Sequence, residues 1–276
     1  MKIDVYCLCK NEIRLAPFFI DYWKALADDV NVYVYDGLSS DGTRELLADY
    51  DWIHIEDFEP DALDDFNHMN LKNMCWKKSI GSADFVMVCD FDETIFSYSV
   101  GELREEFKKM KNGGYTILLP LSFDMLSDSF PEYKEGKYLH ELCGYGFNNY
   151  QYETKAIFFD PNKINGINYV AGAHAVFPSG DVKWYESNKL FLMHAKYIGL
   201  DYYKERIRNR VVSARNMAYN MDGEKRKTEK MFEDTFNEKM SLKFKWGDVE
   251  NRLDEFYNIR CDWSAWRGWK RYNKKA

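Results

Sequence analysis

Phe85-Val86-Met87-Val88-Cys89-Asp90-Phe91-Asp92-Glu93 is the stretch that decides how this chain reads. Its first five residues form a short, unbroken apolar run, the mark of a buried strand. Such a strand delivers Asp90 and Asp92 at its tip. Alternate residues of an extended chain project to one side, so both carboxylates can share a hard divalent cation, which prefers oxygen ligands. An isolated D-x-D more often marks a solvated turn. Here two further polar strand ends upstream, Lys10-Asn11-Glu12 and Asp36 through Thr43, shift the balance toward a site.

Outward from this strand, β-rich runs alternate with helical stretches, the pattern of a mostly parallel sheet covered by helices. Strands are predicted near residues 2–9, 30–35, 52–56, 84–89 and 115–119, and helices near 14–28, 42–49, 66–82 and 99–111. The last helix has Ser99 as N-cap, Gly113 and Gly114 at its close, and Lys108, Lys109 and Lys111 at its negative end. Beyond residue 120, short strands are expected at Lys155–Phe159, Tyr169–Phe177 and Lys189–His194, forming a smaller mixed sheet. After Gly199 the text is helical and charged. In an open parallel sheet ligands bind beyond the carboxyl ends of the strands, so the polar tips carry the functional signal.

The chain has 276 residues with 45 acidic and 38 basic side chains, a net charge of −7 that argues against a protein whose whole surface binds nucleic acid. Its 20 Tyr, 19 Phe and 8 Trp mark a globular composition. Six cysteines lack C-x-x-C spacing and read as buried thiols. No charged leader precedes an apolar segment, and no apolar run approaches the roughly 20 residues of a membrane span. A cytoplasmic enzyme is expected, with any membrane contact made peripherally at the inner face.

The run Cys9-Lys10-Asn11-Glu12, then Val32 to Asp36 followed by Ser39-Ser40-Asp41-Gly42-Thr43, then Ala83-Asp84-Phe85 leading to Asp90-Phe91-Asp92-Glu93, resembles family 2-type glycosyltransferases with a GT-A fold. Lys155, Gly172-Ala173-His174 and Leu192-Met193-His194-Ala195-Lys196-Tyr197 resemble later elements of the same branch. The departures are Thr94-Ile95 where relatives carry an aromatic, and a Lys155 segment without its immediate proline. The resemblance implies an α/β, Rossmann-like GT-A catalytic domain over residues 1–200, and residues 201–276 form a helical extension. It also implies transfer of a hexose from a UDP- or GDP-sugar to a glycan or lipid-linked acceptor, in surface polysaccharide or glycolipid assembly. Lys10, Asn11, Glu12 and Asp36 would contact the nucleoside, with Ser39 and Asp41 in the same tips. Asp90 and Asp92 would address Mn²⁺ or Mg²⁺ and the diphosphate, and His194 would complete the metal site.

Other positions carry weaker signals. Lys155 can neutralise donor phosphate, although a lysine opening a strand is more often a solvated edge. Asn73 and Lys77 lie four apart, hence on one face of the helix before the metal strand, where donor contact competes with plain solvation. His174 follows two small residues that leave room for a substrate. An inverting transfer needs a base at the acceptor hydroxyl, for which Asp124, Glu153 and His174 are candidates, with Asp92 and Glu93 beside the reacting centre.

Two rival readings remain. Asp90 to Thr94 also matches the D-x-D-x-T signature of haloacid-dehalogenase-type phosphatases, but no Asp-Asp or Gly-Asp-x-x-x-Asp element follows downstream to hold their Mg²⁺. The other rival is a catalytically inactive binding protein of the same fold. Finally, Asp262 to Lys275 spaces Trp263, Trp266 and Trp269 three apart among basic residues. Such a tail suits peripheral contact with an anionic membrane, and packing on the preceding helices is the alternative.

Overall fold

The computed structural model describes residues 1–26, 29–58, 64–148, 155–213 and 225–253. Four parallel strands open the sheet: β1 (Lys2–Cys9), β2 (Asp29–Asp36), β3 (Ile53–Asp57) and β4 (Phe85–Asp90), side by side in the order β4-β1-β2-β3. They are linked by α1 (Ala16–Leu26), α2 (Thr43–Leu47) and α3 (Asp65–Met74). Register aligns their tips, because Cys9 pairs with Asp36 and Leu8 with Asp90. The polar residues that follow each strand therefore emerge along one edge.

The second half begins with β5 (Glu93–Phe96), α4 (Val100–Asn112) and β6 (Ile117–Ser127). After α5 (Leu139–Cys143), β7 (Tyr145–Phe147) and β8 (Phe158–Phe159) pair antiparallel with β6. A separate antiparallel pair joins β9 (Ile164–Gly166) to β10 (Ser179–Gly180). The long β11 (Trp184–Ile198) then runs parallel to β6 and antiparallel to β5. The chain continues through α6 (Leu200–Ser213), α7 (Glu229–Ser241) and β12 (Phe244–Lys245).

The architecture is the expected α/β one, a mostly parallel sheet flanked by helices with a small antiparallel piece. Its core follows the apolar pattern. All five residues of Phe85–Cys89 are buried, and α4 turns Leu103, Phe107 and Met110 onto the sheet. Phe107 stacks on Phe158 at 4.4 Å between centroids, and Phe158 in turn on Phe85 at 4.9 Å. Truncating an aromatic in such a stack typically costs about 3–5 kcal/mol. The Ser99 cap holds as expected, its Oγ accepting from the Glu102 amide at 3.1 Å.

Three local expectations give way. The helix predicted over 66–82 stops at Met74 and tightens into a 3₁₀ turn at Cys75–Ser79. Tyr169–Phe177 is not a strand: a 3₁₀ turn at Ala171–Ala173 occupies it, with Gly172 at φ +76° and Ala173 at φ +58°. Such left-handed angles cannot continue a pleat. The strand foreseen at Lys155–Phe159 shrinks to Phe158–Phe159. Downstream of β11, α6 and α7 are anchored by Tyr203, Phe232 and Phe236, which cluster with Leu126 and Tyr197 of the sheet. Among the described residues, no helix is long and apolar enough to cross a membrane. Cys7, Cys9, Cys75, Cys89 and Cys143 are buried free thiols, and Cys261 and the Trp-rich tail lie outside the described residues.

Candidate functional site

The aligned tips border a cleft of about 320 Å³. Lys10, Asn11 and Glu12 line it from the end of β1, Gly37 from β2, and Asp90 and Asp92 from β4. Lys155, His174 and His194 close it from the second half, and Arg206 and Arg210 from α6. Six cations, Lys10, Lys72, Lys155, Lys196, Arg206 and Arg210, face four carboxylates, Glu12, Asp65, Asp90 and Asp92. That balance suits an anionic ligand.

The two aspartates at the tip have different partners. Asp90 lies 2.7 Å from Lys72 Nζ and 3.5 Å from Lys155 Nζ. Burial alone would raise its carboxyl, but these two ammonium groups overcome it and hold Asp90 well below the usual range. Asp92 Oδ2 lies 2.8 Å from His194 Nε2 and 2.5 Å from Arg206 Nη1. Here too burial is overcome, by Arg206 and then His194, and the carboxyl is held far down. Despite these close charges, Asp92 Oδ2 is buried and receives no well-directed hydrogen bond.

His194 is oriented from behind. Its Nδ1 lies 3.0 Å from Asp124 Oδ1 in a hydrogen bond, and Asp124 is fully buried. Asp124 therefore does not face an acceptor, contrary to its expected candidacy as base. Glu93 is also buried, its Oε1 on Lys155 Nζ at 2.5 Å and its Oε2 accepting from the Asp90 amide at 3.2 Å. It braces Asp90 and Lys155 and does not line the cleft. Glu153 lies outside the described residues.

The metal set expected from the sequence is brought together in part. Asp92 and His194 converge, whereas Asp90 turns to the lysines, and among the described residues no three acidic, His or Cys side chains form one ligating cluster. The pair still fits a cation. Two ligand atoms sharing an ion at about 2.1 Å stand roughly 3 Å apart at a right angle, which is the spacing of this pair, and an ion bound there takes the place of Arg206 Nη1 on Asp92 Oδ2.

The nucleotide-side candidates divide in the same way. Lys10 lines the cleft, donating to the Gly37 carbonyl at 3.0 Å. Asn11, at φ +54°, accepts from the Ser40 amide at 2.8 Å, while its own amide donates to Ser39 Oγ at 2.7 Å. Glu12 meets Tyr202 Oη at 3.3 Å, and burial pushes its carboxyl up to about 7 against the pull of Arg206. By contrast, Asp36 is spent on its own loop, taking bonds from the Ser39 amide at 2.9 Å and from Arg44 at 2.8 Å. Asp41 likewise accepts from the Ile13 and Thr43 amides, both at 3.1 Å. These two build the tips, while Lys10, Asn11 and Glu12 line the cleft.

Asn73 is also structural, bonding the amide of Tyr169 at 2.7 Å and its carbonyl at 3.1 Å. Lys77 is exposed, beside Met74. Because α3 ends at Met74, the predicted shared face breaks there, and Lys72 is the lysine that reaches the site. Arg206 and Tyr202 were also not foreseen. They sit in a helix of evenly scattered charges with no motif, so only the fold identifies them.

No curated protein matches the sequence significantly. Among solved structures, S. aureus TarS is similar over 81% of this chain and 41% of its own, at 14% identity and a TM-score of 0.42. The chain thus spans about two fifths of that protein's length. The mannosyltransferase PcManGT of Pyrobaculum calidifontis, solved with GDP-Man and Mn²⁺, is 15% identical over 44% of this chain and 35% of its own, at a TM-score of 0.33. The galactosyltransferase LgtC, solved with donor and acceptor sugar analogues, is 16% identical over 59% of this chain and 58% of its own, at a TM-score of 0.30. A family model, glycosyltransferase family 92, matches residues 17–244. The resemblance to family 2-type enzymes thus holds at the level of glycosyl transfer, and the phosphatase reading of Asp90 to Thr94 is set aside. By a match over most of its length, the chain belongs to glycosyltransferase family 92.

Proposed function

We propose that this protein transfers a hexose from a UDP- or GDP-sugar to a hydroxyl of a glycan or lipid-linked acceptor, with Mn²⁺ or Mg²⁺ held by Asp92 and His194. The observation that carries this reading is the convergence of Asp92 Oδ2 and His194 Nε2, 2.8 Å apart, in a cleft where cations outnumber carboxylates. When bound, the ion supplies positive charge to the departing nucleotide diphosphate. Lys72 and Lys155 hold Asp90 ionised and add fixed positive charge at the same tip. Lys10, Asn11 and Glu12 shape the nucleoside end.

His174 is the base candidate that lines the cleft among the described residues, and it follows Gly172, whose missing side chain leaves its ring room. It would take the acceptor proton in an inverting transfer. A role in surface polysaccharide or glycolipid assembly, and peripheral membrane contact through residues 262–276, complete the proposal.

The test is a panel of UDP- and GDP-sugars with and without Mn²⁺ or Mg²⁺, read as nucleotide release in the presence of acceptors. Turnover is expected with at least one donor, lost on chelation and reduced at least 100-fold in D92A and H194A. Silence across the panel would favour an inactive binding protein, and unimpaired D92A and H194A would show that the site is elsewhere.

A further inference from the structure

β6 reads Ile117-Leu-Leu-Pro-Leu-Ser-Phe-Asp-Met-Leu-Ser127, and ten of its eleven residues are buried. A carboxylate in the middle of such a strand costs several kcal/mol unless opposite charge or hydrogen bonds compensate it. Asp124 is that carboxylate, and it is fully buried. Its cross-strand partner in the parallel β6–β11 register is His194, whose Nδ1 it meets at 3.0 Å. The opposite ring nitrogen, Nε2, faces Asp92 Oδ2 at 2.8 Å. Asp124 itself is not at the cleft wall, so it cannot touch donor or acceptor.

We propose that Asp124 is a positioning residue, acting through His194 to hold the imidazole for a divalent cation. The inference rests on the metal reading given above. A carboxylate that accepts from Nδ1–H keeps that proton in place, fixes the ring plane and leaves the Nε2 lone pair for the ion. The two residues come from adjacent strands in direct register, so this orientation is built into the sheet. It does not depend on a loop.

The test is Mn²⁺ binding to the full chain, followed by electron paramagnetic resonance, in wild type, D124N and H194A. Asparagine keeps the size but removes the charge and offers an N–H to the ring. D124N is expected to bind Mn²⁺ about 10- to 100-fold more weakly. It should also lose the imidazole nitrogen coupling of the bound ion, with an unchanged circular dichroism spectrum. A wild-type-like affinity and coupling in D124N would overturn the positioning role alone. Wild type binding no tighter than H194A would overturn the metal reading and this inference with it.

Should D124N fail to fold, the wild-type protein itself decides. With Zn²⁺ as a diamagnetic stand-in that also favours imidazole, ¹⁵N-histidine spectra should show His194 protonated on Nδ1. A proton on Nε2 instead would refute the assignment.

Discussion

Arg206 Nη1 lies 2.5 Å from Asp92 Oδ2, so a helix beyond the last long strand reaches the acidic tip of β4. The same nitrogen donates to the Ala195 carbonyl at 3.0 Å, and the guanidinium sits 5.6 Å from the Tyr202 ring centroid. Arg206 thereby ties α6, β11 and the β4 tip together. R206A leaves Asp92 buried with the His194 imidazole as its remaining close partner. A stability loss on the order of 2 kcal/mol is expected in urea unfolding, with turnover falling at least 10-fold. R206K should recover part of the stability but little of the turnover, because a compact ammonium on a differently shaped stem cannot stack flat on Tyr202 while reaching Asp92 as the guanidinium does.

Glu93 braces Lys155 and the Asp90 amide from beneath the cleft. E93Q is therefore expected to lower stability by about 1–3 kcal/mol and to reduce kcat, while leaving the shape of the pH–rate profile intact. Loss of one limb of that profile would instead identify Glu93 as a proton-transfer group.

His140 supplies a pH test remote from turnover. Its ring lies 3.8 Å from the Phe96 centroid, and burial lowers its pKa from 6.5 to about 4. As pH falls below 6.5 the unfolded chain takes up the proton first. The contribution to stability is thus full above that pH and is lost progressively down to about 4. The slope is worth at most about 3 kcal/mol. H140Q should flatten it, measured as urea midpoints between pH 4.5 and 7.

Gly199 links β11 to α6 at φ +102°, and a Cβ there would stand 2.5 Å from the Phe130 backbone nitrogen. G199A combines a left-handed backbone penalty of about 1–2 kcal/mol with a clash against main chain. Its melting temperature should fall by several degrees. Because α6 carries Arg206, turnover should fall at temperatures where the variant is still folded.

The β1, β2 and β4 tips were legible because each follows an apolar run of unmistakable strand length, and parallel register then aligns what comes next. Lys72 was obscured by a helix that ends at Met74, three residues before its apparent face does at Lys77. Tyr169–Phe177 has β-rich composition, yet Gly172 and Ala173 take left-handed angles that a pattern of residue types does not encode. Glu93 and Asp124 read as candidate acids and bases because sequence shows a carboxylate without its depth. Burial turned both into braces. Arg206 had no motif to mark it, since its role depends on where α6 lands.

β11 gathers His194 and, through Gly199 and α6, Arg206 to a tip laid down about a hundred residues earlier. During synthesis the acidic β4 tip must therefore wait on the ribosome without its imidazole and guanidinium counterparts, and β6 without the parallel neighbour that covers its edge. Pairings this distant in sequence form late and slowly. A fragment released before β11 has emerged exposes both an uncompensated acidic turn and a bare hydrophobic edge. Premature termination in this gene should yield an aggregating product, not a weakened transferase.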